Sequence, residues 1–282
     1  MRGYGVVSRY LKRFLEMHGY NVHLGAWVDV KIGSRLVLDL QVGHWYFHRP
    51  PKRGAPSALY VFTEGRIDRR AREWLLGYDY IFAPTKFVAE ELEKIDVPYI
   101  MMWLGIDTEL FKPLPIAKFI DVLSIGIWES TWDDRKFMNR VTDVAFPYTH
   151  YVHTRPTLPY DMLPELYNAS RLYVSLSACE GGNIPVLEAN ACGIPAVFNK
   201  ACGTKDLAFG VGVEPIGFEE KVDRGVPFYI YKPNIPKIRE VVHMLLRDER
   251  KLEILGARAR EHALRFDFRK TFKPLLEVLP RI

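Results

Sequence analysis

The chain has 282 residues, 48% of them hydrophobic, with 39 Lys and Arg against 34 Asp and Glu. That length is long for one domain and fits two, each with its own core. The mildly basic balance suits anionic substrates or acidic lipid heads and is too small to argue for nucleic acid, and neither a signal peptide nor an apolar run of spanning length is read. A cytoplasmic protein is therefore expected. Cys179, Cys192 and Cys202 lack metal-ligand spacing with histidines, so reduced thiols and no metal are expected. Gln41 is the only glutamine, and scarce amides among many charges point to a thermophilic source.

In chain order, Val7, Tyr10, Leu11, Phe14 and His18 fall at helical spacing, with Gly19 as a stop. Residues 21–24 and 35–42 read as strands. The second strand feeds an aromatic and basic loop, 43–53, that contains His44, Lys52 and Arg53. Residues 60–62 form a short strand leading into Thr63, Glu64, Gly65 and Arg66. Ile67, Ala71, Trp74 and Leu75 make a helical stripe interleaved with Arg66, Arg69, Arg70 and Arg72. Two readings stay open there: a basic helix resting on anionic lipid heads, or a core-facing helix with a solvated face. A strand at 78–83 follows. Thr85 then caps a helix carrying Val88, Leu92 and Ile95. A strand at 99–104 precedes a proline-bearing stretch, 112–115, taken as the hinge between domains.

The second half opens on an apolar strand, 119–127. An acidic stretch with Glu129, Asp133 and Asp134 leads to Arg135 and Lys136. A strand at 149–153 is followed by Arg155, and 159–170 reads as helical, with Leu163, Leu166 and Tyr167 apolar. The run 172–176 is a buried strand. Glu180, Gly181, Gly182 and Asn183 follow it. Asn183 is placed to cap a helix that tolerates Pro185 in its first turn and stops at Gly193. Residues 195–198 open the next strand. Beyond 203–206 the chain reads as an irregular glycine-rich stretch to Pro227. Two amphipathic helices, 235–246 and 249–264, meet at Asp248, and the tail 266–279 is helical.

Strand, glycine loop and helix N-terminus together make an anion-binding geometry, because free N–H groups and the positive end of the helix dipole face the loop. Gly181 and Gly182 let a ligand approach the backbone. Glu180 and Glu188 bracket the site. Carboxylates repel phosphate, so they fit hydroxyls, such as a ribose and a sugar ring, while the amides hold the phosphate. That combination points to a sugar nucleotide.

The block 166–206 resembles the C-terminal domain of glycosyltransferase family 4, a retaining family of GT-B fold. Glu180 to Glu188 is its E-x7-E spacing, and Ser177, Gly181, Pro185, Ala189, Gly193, Pro195, Gly203 and Thr204 fall where that family has them. The resemblance implies an α/β protein of two Rossmann-like domains facing a cleft. The expected division is 1–113 on the acceptor side, 114–265 binding the donor, and a terminal helix, 266–282, returning to the first domain. It implies transfer of a hexosyl group from a UDP- or GDP-sugar to a hydroxyl of a glycan, lipid or protein, with no metal or other cofactor. On this reading Glu188 binds the ribose and Glu180 the sugar ring. Ser177, Gly181, Gly182 and Asn183 line the donor. The family's usual Arg is absent after Gly126, where Ile127 stands, so Arg135 or Lys136 serves the diphosphate, with Arg155 as a further cation. Gly3 and Gly5 stand where the family has a phosphate-touching loop, although the strand that precedes that loop finds no room here: either the true start lies upstream, or this is a short member whose first domain is rebuilt without that strand. His44 and Glu64 face the acceptor or the transferred sugar, or else are turn and packing residues. Three other classes stay open: a non-catalytic GT-B protein that binds nucleotide or glycan, a sugar-nucleotide epimerase of that fold, and a nucleic-acid glucosyltransferase.

Overall fold

The computed structural model describes residues 3–25, 28–51, 54–126, 135–154 and 158–281. They form two compact units. The first gathers Met1–Ile106, Val222–Phe228 and Phe266–Ile282; the second gathers Asp107–Lys221 and Tyr229–Arg265.

The first unit is built on a six-stranded sheet whose strands lie in sequence order. These are β1 (Asn21–Leu24), β2 (Val28–Ile32), β3 (Arg35–His44), β4 (Ser57–Phe62), β5 (Tyr80–Ala83) and β6 (Ile100–Met101). From β3 to β6 all neighbours are parallel. β1, β2 and β3 pair antiparallel, so one edge departs from an all-parallel Rossmann sheet. Sequence reading missed β2 because Val28, Asp29, Val30 and Lys31 offer only a brief alternation. β4 is buried throughout, as a strand covered on both faces must be. Helix α1 (Gly3–Glu16) buries Val6, Val7, Tyr10, Leu11, Phe14 and Leu15; four of these belong to the predicted stripe, while His18 lies past the helix end and is exposed.

Helix α2 (Arg72–Leu75) extends a 3-10 turn at Arg69–Ala71. Ile67, Ala71 and Leu75 are buried while Arg69 and Arg70 are 80% exposed at their side chains, so the stripe faces the core. Helix α3 (Lys86–Glu93) starts at Thr85, whose hydroxyl accepts from Val88 N. The tail is broken into α10 (Phe268–Thr271) and α11 (Pro274–Glu277) instead of one helix. Tyr10 stacks on Phe268 with centroids 5.3 Å apart, and Phe272 meets Phe14 and Tyr60 edge-on.

The second unit holds a five-stranded parallel sheet. Its strands are β7 (Ile120–Ile125), β8 (His150–His153), β9 (Ser170–Ser175), β10 (Ala196–Asn199) and β11 (Gly210–Val213). Their spatial order is β11-β10-β9-β7-β8. After β7 the chain steps outward to β8, then returns to lay β9 on the other side of β7. Such a reversal opens a crevice at the carboxyl ends of the two strands that flank it, here β7 and β9. One core joins Val122, Leu172, Val174 and Val197 of the sheet to Val141 and Val144 of α4 (Val141–Ala145). Ile238, Val242 and Leu245 of α8 (Ile235–Leu246) complete it.

Helix α6 (Ile184–Ala191) is buried nearly all round, the mark of an interior helix. Gly193 ends it at φ +76°. A Cβ on Gly256 of α9 (Glu249–Ala263) would meet the Gly193 carbonyl at 2.5 Å, so glycine there lets the two helices close. Asp248 caps α9 by accepting from Lys251 N at 2.9 Å.

The stretch expected to be irregular after Asp206 is ordered: α7 (Cys202–Leu207), β11, then a hairpin of β12 (Gly217–Asp223) and β13 (Val226–Lys232). The hairpin turns on Arg224 and Gly225 with φ of +50° and +82°, the paired positive values of a two-residue type I′ turn. Arg-Gly is a weak sequence cue for that turn, and β12 carries mostly charged residues.

Candidate functional site

The loops after β7 and β9 meet at the reversal of the second sheet. Ala178 N donates to the Arg135 carbonyl at 2.6 Å, and Arg135 Nη1 donates to the Cys179 carbonyl at 3.4 Å. Lys136 Nζ is ion-paired to Glu180 Oε1, and Arg135 Nη1 lies 3.7 Å from Glu180 Oε2. Glu180 is 6% exposed. Burial pushes its carboxyl up, but Lys136, Arg135 and hydrogen bonds from Lys136 and Ser177 outweigh that and hold it below the ordinary range. The cluster therefore keeps a buried negative charge and two partly exposed cations in one place. Gly181 is buried and Gly182 half-buried.

Asn183 sits at the N-cap position of α6, yet its side chain does not cap. Its Nδ2 donates to Ser175 Oγ at 3.0 Å and Thr204 Oγ1 at 3.1 Å. This corrects the expectation of an Asn183 cap: hydroxyls of β9 and α7 take the amide first. The first turn of α6, which includes Pro185, is left without a side-chain cap, and a helix start of that kind can receive an anion.

Glu188 lies inside α6, 2% exposed. Tyr167, in α5 (Leu163–Asn168), donates to Glu188 Oε2 at 2.8 Å, and Tyr160 donates to Oε1. Burial raises this carboxyl to about 7 against the two tyrosine bonds that lower it. The two carboxylates of one motif are thus shifted in opposite directions: Glu180 is held charged by its cations, and Glu188 takes up a proton near neutral pH.

A second correction concerns the thiols. Cys179 and Cys202 form a disulfide with Cα atoms 5.2 Å apart, while Cys192 is free and buried. The ends of β9 and β10 bring the first two together, which spacing along the chain could not reveal.

In the first unit, His44 ends β3 and Glu64 lies two residues past β4, its parallel neighbour. His44 Nδ1 accepts from Tyr46 N at 3.2 Å, so the neutral ring carries its hydrogen on Nε2, which lies 3.5 Å from Glu64 Oε2. Gly3 and Gly5 lie, both exposed, in the first turn of α1 and not in a loop; the helix runs one turn back beyond Val6, the first residue of its buried stripe. Lys52, Arg53, Ile127, Glu129, Asp133, Asp134 and Arg155 lie outside the described residues.

Sequence reading missed Tyr160, which it did not single out, and the polar role of Tyr167, which it counted as apolar. It also missed Asn199, whose Nδ2 ties the Ser177 carbonyl (3.2 Å) to that of Tyr231 (2.8 Å). Two surface cavities of about 350 and 460 Å³ are lined by other residues, the first around Phe119 and Tyr151, the second around Ile216 and Ile235. They do not coincide with the Glu180 cluster, whose chemistry is the better guide. Among the described residues no group of three or more His, Cys, Asp or Glu could hold a metal ion. No described helix is long and apolar enough to cross a membrane.

Residues 149–209 match the family described as Glycosyl transferases group 1. The chain is 26% identical over 173 residues to the "Putative glycosyltransferase 41" of Sulfolobus islandicus filamentous virus, covering 56% of this chain and 53% of that protein. It is 30% identical over 223 residues to D-inositol 3-phosphate glycosyltransferase 1 of Catenulispora acidiphila, covering 78% and 49%. The chain spans about half the length of these relatives. It also resembles the structure of HepE from Anabaena in complex with UDP and glucose, with a TM-score of 0.60 and 15% identity, covering 79% of this chain and 71% of that one. At that identity the likeness speaks for the fold alone, which is that of the GT-B glycosyltransferases. The matched segment contains β9, the Glu180 loop and α6, so the likeness to group 1 glycosyl transferases falls on the candidate site itself.

Proposed function

We propose that this chain is a retaining hexosyltransferase of glycosyltransferase family 4, moving a sugar from a UDP- or GDP-sugar to a hydroxyl of a glycan, lipid or protein. The observation that carries the reading is the Glu180 cluster at the reversal of a parallel sheet, with Lys136 and Arg135 on one side and the uncapped start of α6 on the other. A diphosphate arriving there competes with Glu180 for Lys136. The exchange turns the Glu180 carboxylate toward the sugar hydroxyls and places cations where the leaving group gathers charge. That charge grows as the bond to the sugar breaks through an oxocarbenium-like state, so cations and dipoles aimed at it speed the chemistry beyond mere binding.

In this scheme Ser177, Gly181, Gly182 and Asn183 shape the donor loop, and Glu188 accepts from the ribose hydroxyls once Tyr160 yields its bond. Gly5 offers a backbone amide at the start of α1. His44 and Glu64 serve the acceptor side: the His44 hydrogen on Nε2 orients Glu64, and Glu64 takes the proton of the attacking hydroxyl. Transfer without a metal is part of the proposal, as are a thermophilic source, a cytoplasmic setting and contact of the Arg69–Arg70 surface with anionic lipid. The single glutamine and the intramolecular cystine support the thermophilic reading.

The test is incubation with radiolabelled UDP- and GDP-sugars and a panel of hydroxyl acceptors, with and without EDTA. Transfer with retained anomeric configuration in both conditions is expected. Donor binding without turnover, or an isomerised free donor, would replace the reading with a binding protein or an epimerase. Loss of transfer in EDTA would remove only the metal-free step.

A further inference from the structure

The Cys179–Cys202 bond lies within the donor cluster. Cys179 immediately precedes Glu180, and its carbonyl accepts from Arg135. Cys202 opens α7 in the left-handed region at φ +46°, and the next residue, Gly203, donates its N–H to the Glu180 carbonyl at 2.8 Å. The disulfide and this hydrogen bond clamp the Glu180 peptide from both sides. The loops they join follow β9 and β10, neighbouring parallel strands. Cys179 is 0% and Cys202 4% exposed, so the clamp is packed and not a surface staple. Cys192, at the end of α6, stays free and provides an internal comparison.

We propose that the Cys179–Cys202 cystine is a positioning cross-link of the donor site, holding the Glu180 carboxylate in register with Lys136 and Arg135, so that donor affinity depends on the thiol–disulfide state of the chain. The proposal rests on the donor reading above. A loop ordered before the ligand arrives loses less freedom on binding. Reduction breaks the S–S bond by attack of a dithiol through a mixed disulfide. Two protein thiols form and the dithiol becomes a cyclic disulfide, with two electrons and two protons passed to the protein.

Thiol titration of the denatured chain comes first. One reactive thiol before dithiothreitol and three after are expected; three before would overturn the proposal. UDP and GDP binding is then measured on the folded chain in both states. The reduced form is expected to bind the preferred nucleotide about tenfold more weakly, with the donor KM rising more than kcat falls. The Cys179→Ala/Cys202→Ala double variant should match the reduced form and ignore dithiothreitol, whereas Cys192→Ala should behave as the parent. If the double variant does not fold, the reduced parent alone decides, its fold checked by circular dichroism. Equal affinity in both states would overturn the cross-link role and leave the donor reading intact. An oxidised chain that binds neither nucleotide would defeat the donor reading and this proposal with it.

Discussion

Lys136 and Glu180 stand 44 residues apart in sequence and are ion-paired across the reversal of the second sheet. Each is supplied by a different strand, so the pair reports whether both loops are in place. Lys136→Ala leaves Glu180 buried with Arg135 as its remaining close cation. A kcat loss of about 100-fold is expected, as for the loss of one group that stabilises transition-state charge. The folded state should also weaken by about 2 kcal/mol through partial loss of a buried charge pair. Glu180→Gln should cut turnover similarly while the circular dichroism spectrum is unchanged. Steady-state kinetics on both variants decide the matter; unaltered turnover in Glu180→Gln would remove it from the site.

The raised Glu188 carboxyl gives two pH effects of known sign. A carboxyl at about 7 in the folded chain against an ordinary 4.5 binds its proton more tightly when folded. Its stabilisation is full below the ordinary value and is lost as pH rises through 7, a span of about 3 kcal/mol. Urea midpoints should therefore fall between pH 5 and 7.5, less so in Glu188→Gln. Nucleotide affinity should move the other way. Ribose hydroxyls need an accepting carboxylate, so UDP or GDP should bind about fivefold more tightly at pH 8 than at pH 6.

Below pH 5 the depressed Glu180 carboxyl acts in the opposite sense, its contribution present at higher pH and lost as acid protonates it. Tyr167→Phe removes one donor to Glu188 and should push that carboxyl higher still, with a stability cost of about 1 kcal/mol. A shift of the binding pH midpoint above that of the parent is the readout.

Asn168 fastens the segment that the prolines suggested as a hinge. It accepts from Leu114 N at 2.8 Å and donates to the carbonyls of Lys112 (2.9 Å) and Pro164 (2.8 Å). It is 1% exposed. Asn168→Ala would strand these backbone groups and is expected to cost about 3 kcal/mol, read as a lower urea midpoint, with nucleotide affinity little changed at saturating stability.

Gly256→Ala places a methyl 2.5 Å from the Gly193 carbonyl. The obstacle is backbone, so α6 and α9 must separate, at a cost of about 2 kcal/mol. Thermal unfolding tests this; an unchanged midpoint would show that the helix pair has slack.

How much of this was legible in the sequence divides along a physical line. Val7 to Phe14, Thr85 and Asp248 spoke clearly, because helical spacing and capping are local. The Glu180 to Glu188 motif was legible as a unit for the same reason. Arg135 and Lys136 were named as cations, but their pairing with Glu180 depends on strand order, which no local pattern encodes. The cystine and the Tyr167–Glu188 bond were missed on the same ground. Tyr167 reads as one more apolar residue on α5, and only the packing of α5 against α6 gives its hydroxyl a purpose. The β12–β13 hairpin was missed because charged residues and an Arg-Gly turn conceal the alternation.

The pairing of β7 with β9, Ile120 against Ser170, also governs when the site can exist during folding. The contact closes a loop that contains β8 and two helices, so it forms only after the intervening chain has compacted. A collapsed intermediate can hold native helix content, α6 included, and still offer a nucleotide nothing to grip. In refolding, recovery of nucleotide binding should therefore lag recovery of far-ultraviolet dichroism, with both loops arriving in a single late phase.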